Sequence, residues 1–286
     1  MKRQQQHITQ KIMFCHHIFR AILSFLSLAT ILFVSIISMS NANNEALPFE
    51  ICFYHQAYKN EKATIKTIES IRKYYHSSTY LLTSDNGSDF TNVAKAFKLH
   101  YHHYHTKCSG GTPTPMDHDM AVDFVNRFRT AAMHCNSPKI MMVEDDVHCH
   151  RVSTRFPRYD GSGLAWSNTP LSDEFLQFVK SKTGVLPYIP PQFQYGLCGG
   201  AIYSTEVMRK LHVTKEELNL WAGFDTRIGV ASDTLFTAIL LVNNYTVGVW
   251  DDLMQAGSSI TDAAFQHSVK TWYGVPLDDH EKKWFE

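Results

Sequence analysis

The chain has 286 residues, with 27 Lys and Arg against 27 Asp and Glu and a formal net charge of zero. That length holds one large or two small domains with a sizeable core, and a composition 44% hydrophobic and 19% charged excludes a disordered chain. An even charge balance argues against a nucleic-acid binder, which needs a basic face.

Residues 1–40 stand outside the expected fold. Lys2, Arg3, Lys11 and Arg20 precede an uncharged apolar run from Ala21 to Met39. A run of about 19 residues is long enough to span a bilayer, whereas signal-peptide cores are about 7–15 long. Basic residues before the run keep the N-terminus cytosolic. The pattern predicts a type II signal anchor: a cytosolic tail over 1–20, a transmembrane helix over 21–39, a stem over 40–48, and a domain over 49–286 facing the Golgi or endoplasmic-reticulum lumen. A cleaved signal peptide and a secreted protein is the alternative, because Ser40-Asn41-Ala42 suits a cleavage site. The sequons Asn86-Gly87-Ser88 and Asn244-Tyr245-Thr246 suit either compartment. Of the cysteines only Cys15 precedes the run. Cys52, Cys108, Cys135, Cys149 and Cys198 follow it, an odd number, so at least one thiol stays free or pairs between chains.

Past the stem, Glu50–Gln56 reads as a strand and Lys62–Tyr75 as a helix with Ile65, Ile68 and Ile71 on one face. Thr79–Thr83 is a second strand, ending in the turn-forming cluster Ser84–Asp89. Phe90–Leu99 is a helix, His100–His105 a third strand, Gly110–Pro115 a loop, and Asp117–His134 a long helix stopped by Ser137-Pro138. The alternation of strand and helix predicts βαβ units, a parallel sheet and right-handed crossovers. From Arg151 to Pro191 glycines and prolines break the pattern around one helix, Asp173–Lys182, as in a region that shapes a substrate site. Gln194–Tyr203 returns as a strand through Gly199-Gly200. Helices follow over Thr205–His212, Glu216–Trp221 and Asp233–Val242, the last capped by Ser232. Tyr245–Trp250 is the last clear strand, and the tail from Asp251 is aromatic and poorly periodic.

The segment K-I-M-M-V-E-D-D-V-H-C-H, Lys139 to His150, carries the chemistry. Its apolar run suits a central strand covered on both faces, and the strand ends in Glu144, Asp145 and Asp146. Carboxylates at the carboxyl end of such a strand lie where open α/β sheets bind ligands. Adjacent acids repel, so such a cluster commonly has a cation between its members; a solvated acidic turn is the bland alternative. In an extended chain Glu144 and Asp146 share a side. Six of the 16 histidines crowd into His100–His105 and His148–His150. Strand alternation sends His100 and His102 to the face opposite His103 and His105, which argues against one dedicated histidine metal cluster.

Three stretches together resemble the inverting glycosyltransferases of the GT-A fold, in particular the family 2-like group. I-C-F-Y-H-Q-A-Y-K-N-E-K with T-I-E-S-I-R-K-Y-Y and L-L-T-S-D-N-G-S-D is similar to the family's opening strand, helix and Asp-bearing turn. M-M-V-E-D-D-V resembles the acidic signature that binds metal and the nucleotide diphosphate. L-C-G-G-A-I-Y-S-T-E-V-M-R-K-L and G-F-D-T-R-I-G-V-A-S-D-T-L-F resemble the Gly-Gly acceptor strand and the later helix carrying the base. The chain departs from the family in having Glu-Asp-Asp for Asp-x-Asp, Ser-Asp for Glu-Asp, and Tyr54-His55 for Tyr-Asn.

The resemblance implies a mixed, mostly parallel α/β sheet flanked by helices, with 49–150 binding the nucleotide and 151–286 the acceptor. It implies a divalent cation, Mn or Mg, with Asp146 as ligand and Glu144 and Asp145 sharing contacts to metal, ribose or sugar. Asp85 is expected on the nucleotide base, and Gly199 and Gly200 at the sugar or acceptor. Asp233 is the expected general base, with Asp225 in reserve; capping a helix is the alternative role for Asp233. His267 and His280 are candidates to complete the metal shell. Trp272 and Trp284 suit sugar stacking or core packing alike.

The leading expectation is a lumen-facing, metal-dependent transferase moving a hexosyl or N-acetylhexosaminyl group from a nucleotide-sugar to a glycan, protein or lipid. A secreted metal-dependent hydrolase and a non-catalytic, membrane-anchored carbohydrate-binding protein are the alternatives.

Overall fold

The computed structural model describes residues 49–57, 59–85, 87–106, 117–164, 171–190, 197, 199–228, 232–255, 262–267 and 273–274. The expected anchor and stem, the Gly110–Pro115 loop, Asn86, Cys108, Cys198, Trp272, His280 and Trp284 lie outside these residues. Contacts divide the chain between Leu47 and Pro48, and everything described belongs to the second unit. Among the described residues no helix is long and apolar enough to cross a membrane.

The first half alternates as the sequence predicts. Strand β1 (Ile51–Ala57) leads to α1 (Glu61–Arg72), β2 (Tyr80–Asp85), α2 (Thr91–Phe97), β3 (His100–Tyr104), α3 (His118–Met133) and β4 (Lys139–Val143). Helix starts are fixed by short polar side chains that accept the first unpaired N–H groups. Asn60 takes the N–H of Ala63 and Asp117 that of Met120. Strands β3, β2, β1 and β4 are parallel neighbours in that order, with Phe53 opposite Tyr80 on one side and Met141 on the other.

The second half completes the same sheet, with one strand of reversed polarity. After β5 (His148–Cys149) and β6 (Gly161–Gly163) come α4 (Asp173–Thr183), β7 (Ile202–Ser204), α5 (Thr205–Lys210), α6 (Lys215–Ala222), α7 (Ser232–Val242), β8 (Val247–Val249), β9 (Leu253–Gln255) and β10 (Phe265–His267). The seven-stranded order is β3-β2-β1-β4-β7-β6-β8, with β7 antiparallel to both β4 and β6, and β8 parallel to β6. The sheet is therefore mixed and mostly parallel, as the GT-A resemblance implies, and it runs through both the expected nucleotide and acceptor parts.

Side-chain alternation along β1 splits the core into two layers. Cys52 and Tyr54 face one cluster with Phe128, Tyr203, Phe236 and Leu240, while Ile51 and Phe53 face another with Ile68, Tyr80, Trp250 and Phe265. Cys52 is joined to Cys135, just past α3, by a disulfide that clamps that helix to the central strand. Cys149 is a buried free thiol.

Several expectations need correction. The predicted strand through Gly199-Gly200 is a turn, and β7 starts only at Ile202. Gly200 has φ +89°, a left-handed conformation no strand residue adopts, and its N–H donates to Met142 O at 2.8 Å. Helix α7 starts at Ser232 itself, so Ser232 is not its cap. Strand β6 lies inside the stretch that reads as irregular. Its sequence, Gly-Ser-Gly, has no strand propensity, yet a Cβ at Gly161 would lie 2.5 Å from Leu240 Cδ1, so glycine is what lets α7 close onto the sheet. The unperiodic tail also forms structure, because β10 pairs with β5 and β9 in a small second sheet.

Candidate functional site

Strand order reverses at β1, which has β2 on one side and β4 on the other. In an open α/β sheet the crevice at such a switch point, past the carboxyl ends of the strands, is where ligands bind. Asp85 ends β2 there, and Glu144–Val147 follows β4. The acidic residues do not continue the strand. Val147 N–H donates to Glu144 O at 3.3 Å, closing a four-residue turn. Glu144 and Asp146 do share a side, but the turn, not extended alternation, achieves it.

The small sheet brings His267 across to that turn. Its Nε2 lies 3.6 Å from Glu144 Oε2 and 3.5 Å from Asp146 Oδ1. One ligand atom from each of the three residues falls within 4.8 Å of the others. A divalent ion about 2.0–2.2 Å from each atom fits such a span. The second sphere suits it too, because His267 Nδ1 lies 3.2 Å from Gln255 Oε1. An amide oxygen only accepts, so the imidazole proton sits on Nδ1 and the lone pair on Nε2, where ligation needs it. Two carboxylate oxygens and one imidazole nitrogen form a mostly hard donor set of the kind that takes Mn or Mg. Asp145, the middle acid, does not belong to this group.

Asp233, at the start of α7, is partly buried, and burial pushes its carboxyl up to about 6. Glu144 raises it further, while His267 and the Thr234 N–H, 3.1 Å away, pull it down. The carboxyl thus shares the field of the triad and titrates in the range a general base needs. His55 on β1 is sealed from solvent and held near 3 by burial, against the opposing pull of Glu144, so it stays neutral.

Asp225 is placed differently. Its oxygens accept from Ser172 N–H at 3.0 Å, Arg227 N–H at 3.1 Å, Arg227 Nε at 2.9 Å and Arg227 Nη2 at 2.5 Å. Burial pushes its carboxyl up, but these bonds outweigh that and hold it below the ordinary range. These bonds make Asp225 an anchor for the start of α4.

Asp85 is also engaged. Its Oδ1 lies 3.0 Å from Arg127 Nη1, with both side chains almost fully buried. The same guanidinium donates to Thr106 O at 2.7 Å and Asp123 Oδ2 at 2.5 Å, and its carbon stands 3.8 Å from the centre of the Tyr104 ring. The expected base contact is thus a carboxylate already oriented by an arginine. Arg127 had a legible signal, a charge within the buried stripe of α3 between Phe124 and Ala131. Gln255 and Tyr273 had none, lying in the tail.

The two glycines serve the site indirectly. A Cβ at Gly199 would stand 2.8 Å from Glu144 Oε2, and one at Gly200 2.6 Å from Leu253 Cδ1. They let Glu144 and Leu253 approach the β7 turn. Gly199→Ala should displace a flexible carboxylate, changing stability by less than about 1 kcal/mol while weakening divalent-ion binding. Gly200→Ala should cost about 2 kcal/mol or more, because it adds backbone strain to a clash in the core. Thermal melts with and without manganese separate the two outcomes.

Fold and site together define a mixed, mostly parallel α/β domain with an acid–histidine triad at the carboxyl edge of its central strand. Solved glycosyltransferase structures are similar to it. TarS from S. aureus is 14% identical with a TM-score of 0.45, covering 79% of this chain and 38% of TarS. The galactosyltransferase LgtC, in complex with donor and acceptor sugar analogues, is 12% identical with a TM-score of 0.43, covering 76% of this chain and 86% of LgtC. An active-site mutant of LgtC gives a TM-score of 0.44 at 12% identity. The chain thus spans little more than a third of TarS. No family model and no curated protein sequence matches it.

Proposed function

We propose that this chain is a metal-dependent glycosyltransferase that takes a hexosyl or N-acetylhexosaminyl group from a nucleotide-sugar to a glycan, protein or lipid acceptor. The observation that carries the reading is the convergence of Glu144, Asp146 and His267 beside a carboxyl, Asp233, raised to about 6. Glu144, Asp146 and His267 would hold a divalent cation, which supplies Lewis-acid stabilisation of the departing diphosphate. Asp233 takes the proton from the acceptor hydroxyl as the new bond forms. Asp85, held by Arg127 at the end of β2, would contact the nucleotide base, and Asp145 would contribute contacts to ribose or sugar. The Cys52–Cys135 disulfide supports an oxidising compartment, in keeping with a lumen-facing or secreted domain behind the Ala21–Met39 run.

The test is a thermal-shift screen of the full-length protein with UDP, GDP and CMP, each with manganese or with EDTA. One nucleotide should raise Tm only with manganese, by about 2.7 kcal/mol of stabilisation at a hundredfold excess over Kd. Asp146→Ala should abolish that shift. No shift with any nucleotide would overturn the transferase reading in favour of the hydrolase or carbohydrate-binding one.

A further inference from the structure

We infer that Tyr273 is a positioning residue of the cation site, holding the turn that carries Glu144 and Asp146 through the carbonyl of Val147. The inference rests on the reading of Glu144, Asp146 and His267 as that site. Tyr273 comes from the tail beyond β10 and is 8% exposed. Its hydroxyl donates to Val147 O at 3.0 Å and lies 3.1 Å from His148 Nδ1. A carbonyl only accepts, so the phenol proton goes to Val147, and the phenol oxygen accepts from an Nδ1–H on His148. The hydroxyls of Thr67 and Ser70 lie beside the same oxygen, and burial holds the phenol well above its ordinary range, so the proton stays. Ser70 Oγ in turn accepts from Cys149 N–H at 3.1 Å. Lys62 Nζ donates to Gly274 O at 3.3 Å, pinning the next residue to the start of α1.

One hydroxyl thus ties together the metal turn, strand β5 and helix α1. The turn has reason to need this. Glu144, Asp145 and Asp146 are consecutive like charges, and without a cation they repel. The Val147 N–H to Glu144 O bond closes the turn on its amide side, and Tyr273 fixes the carbonyl of the same residue. Outer groups that orient metal ligands are worth about 10- to 100-fold in affinity. Losing the hydroxyl removes that preorganisation while the ring, packed 6.0 Å from His148, stays.

The experiment is a manganese titration by calorimetry on the full-length wild type, Tyr273→Phe, Lys62→Ala and Asp146→Ala, with the Tm of each in EDTA. The wild type should bind one ion, and Asp146→Ala none. Tyr273→Phe should bind about 10- to 100-fold more weakly. Lys62→Ala, which loosens the tail without touching the turn, should bind as the wild type does. A Tyr273→Phe protein that binds manganese within twofold of wild type, whatever its Tm, overturns the inference and leaves the cation site standing. A wild type that binds no manganese overturns the cation site and the inference with it. If Tyr273→Phe does not fold, Tyr273→Met fills the space with a flexible side chain that has no donor, and the same affinity criterion applies to it.

Discussion

Asp233→Asn is expected to lower transfer about 10²- to 10⁴-fold while raising the melting temperature in EDTA. The two effects have one cause. Burial lifts this carboxyl from its ordinary 3.8 to about 6 in the folded chain, so the folded state holds the proton more tightly than the unfolded one. Stability therefore falls as pH rises from about 4 to about 6, and the loss is complete above that. At pH 8 the charged form costs up to about 3 kcal/mol, which Asn does not incur. For a domain of this size that corresponds to a gain of up to about 6–12 °C. A divalent ion beside Asp233 relieves part of the cost, so the gain should shrink when manganese is present. The wild-type rate should fall below about pH 6 with the slope of a single protonation, or lower still with metal bound, and the residual rate of Asp233→Asn should lack that limb. An Asn variant that keeps both the rate and its acid limb would remove Asp233 from the chemistry.

Breaking the Cys52–Cys135 bridge should have the largest effect on stability. It closes a loop with a sequence separation of 83 between a central strand and the end of α3. In the chain-entropy account a loop that long contributes about 4.5 kcal/mol, on the order of 10 °C in Tm for a domain of this size. Both cysteines are buried in the same aromatic and aliphatic layer, so reduction also leaves two thiols where a bridge was packed. The double variant Cys52→Ser, Cys135→Ser should be worse than reduction, because it buries two hydroxyls. Melts with and without dithiothreitol, alongside a thiol count on the unfolded protein, measure this. Equal melting temperatures in both conditions would mean that the native chain does not carry the bridge.

Much of this site was legible before any coordinates, for a physical reason that can be stated residue by residue. Strands β1, β2 and β4 read as continuous apolar runs buried on both faces, helices α1, α3 and α4 bury one periodic face, and α7 is an unbroken buried run, so hydrophobic patterning found them. Glu144 and Asp146 were visible because acids ending a buried apolar strand conflict with local burial, and such conflicts gather at functional sites; Asp233 came from the resemblance. His267 came from the resemblance, without a motif of its own. The glycines were noticed at the site, but only the packing shows that the space beside Gly199 holds the carboxylate of Glu144. Arg127 went unread although it interrupts an apolar stripe, because its partner Asp85 lies on another element.

The sequence by itself thus determined the alternation of strands and helices and the acidic end of β4, because both depend on neighbours along the chain. The tertiary structure alone decided that Gly-Ser-Gly would become a strand, that the unperiodic tail would pair with β5, and that His267 and Tyr273 would reach the Glu144–Val147 turn. Those placements depend on contacts far apart in the chain, from Gly161 on Tyr203 to Tyr273 on Val147. At that separation local propensity has no influence, and burial and hydrogen bonding in the assembled fold choose the conformation.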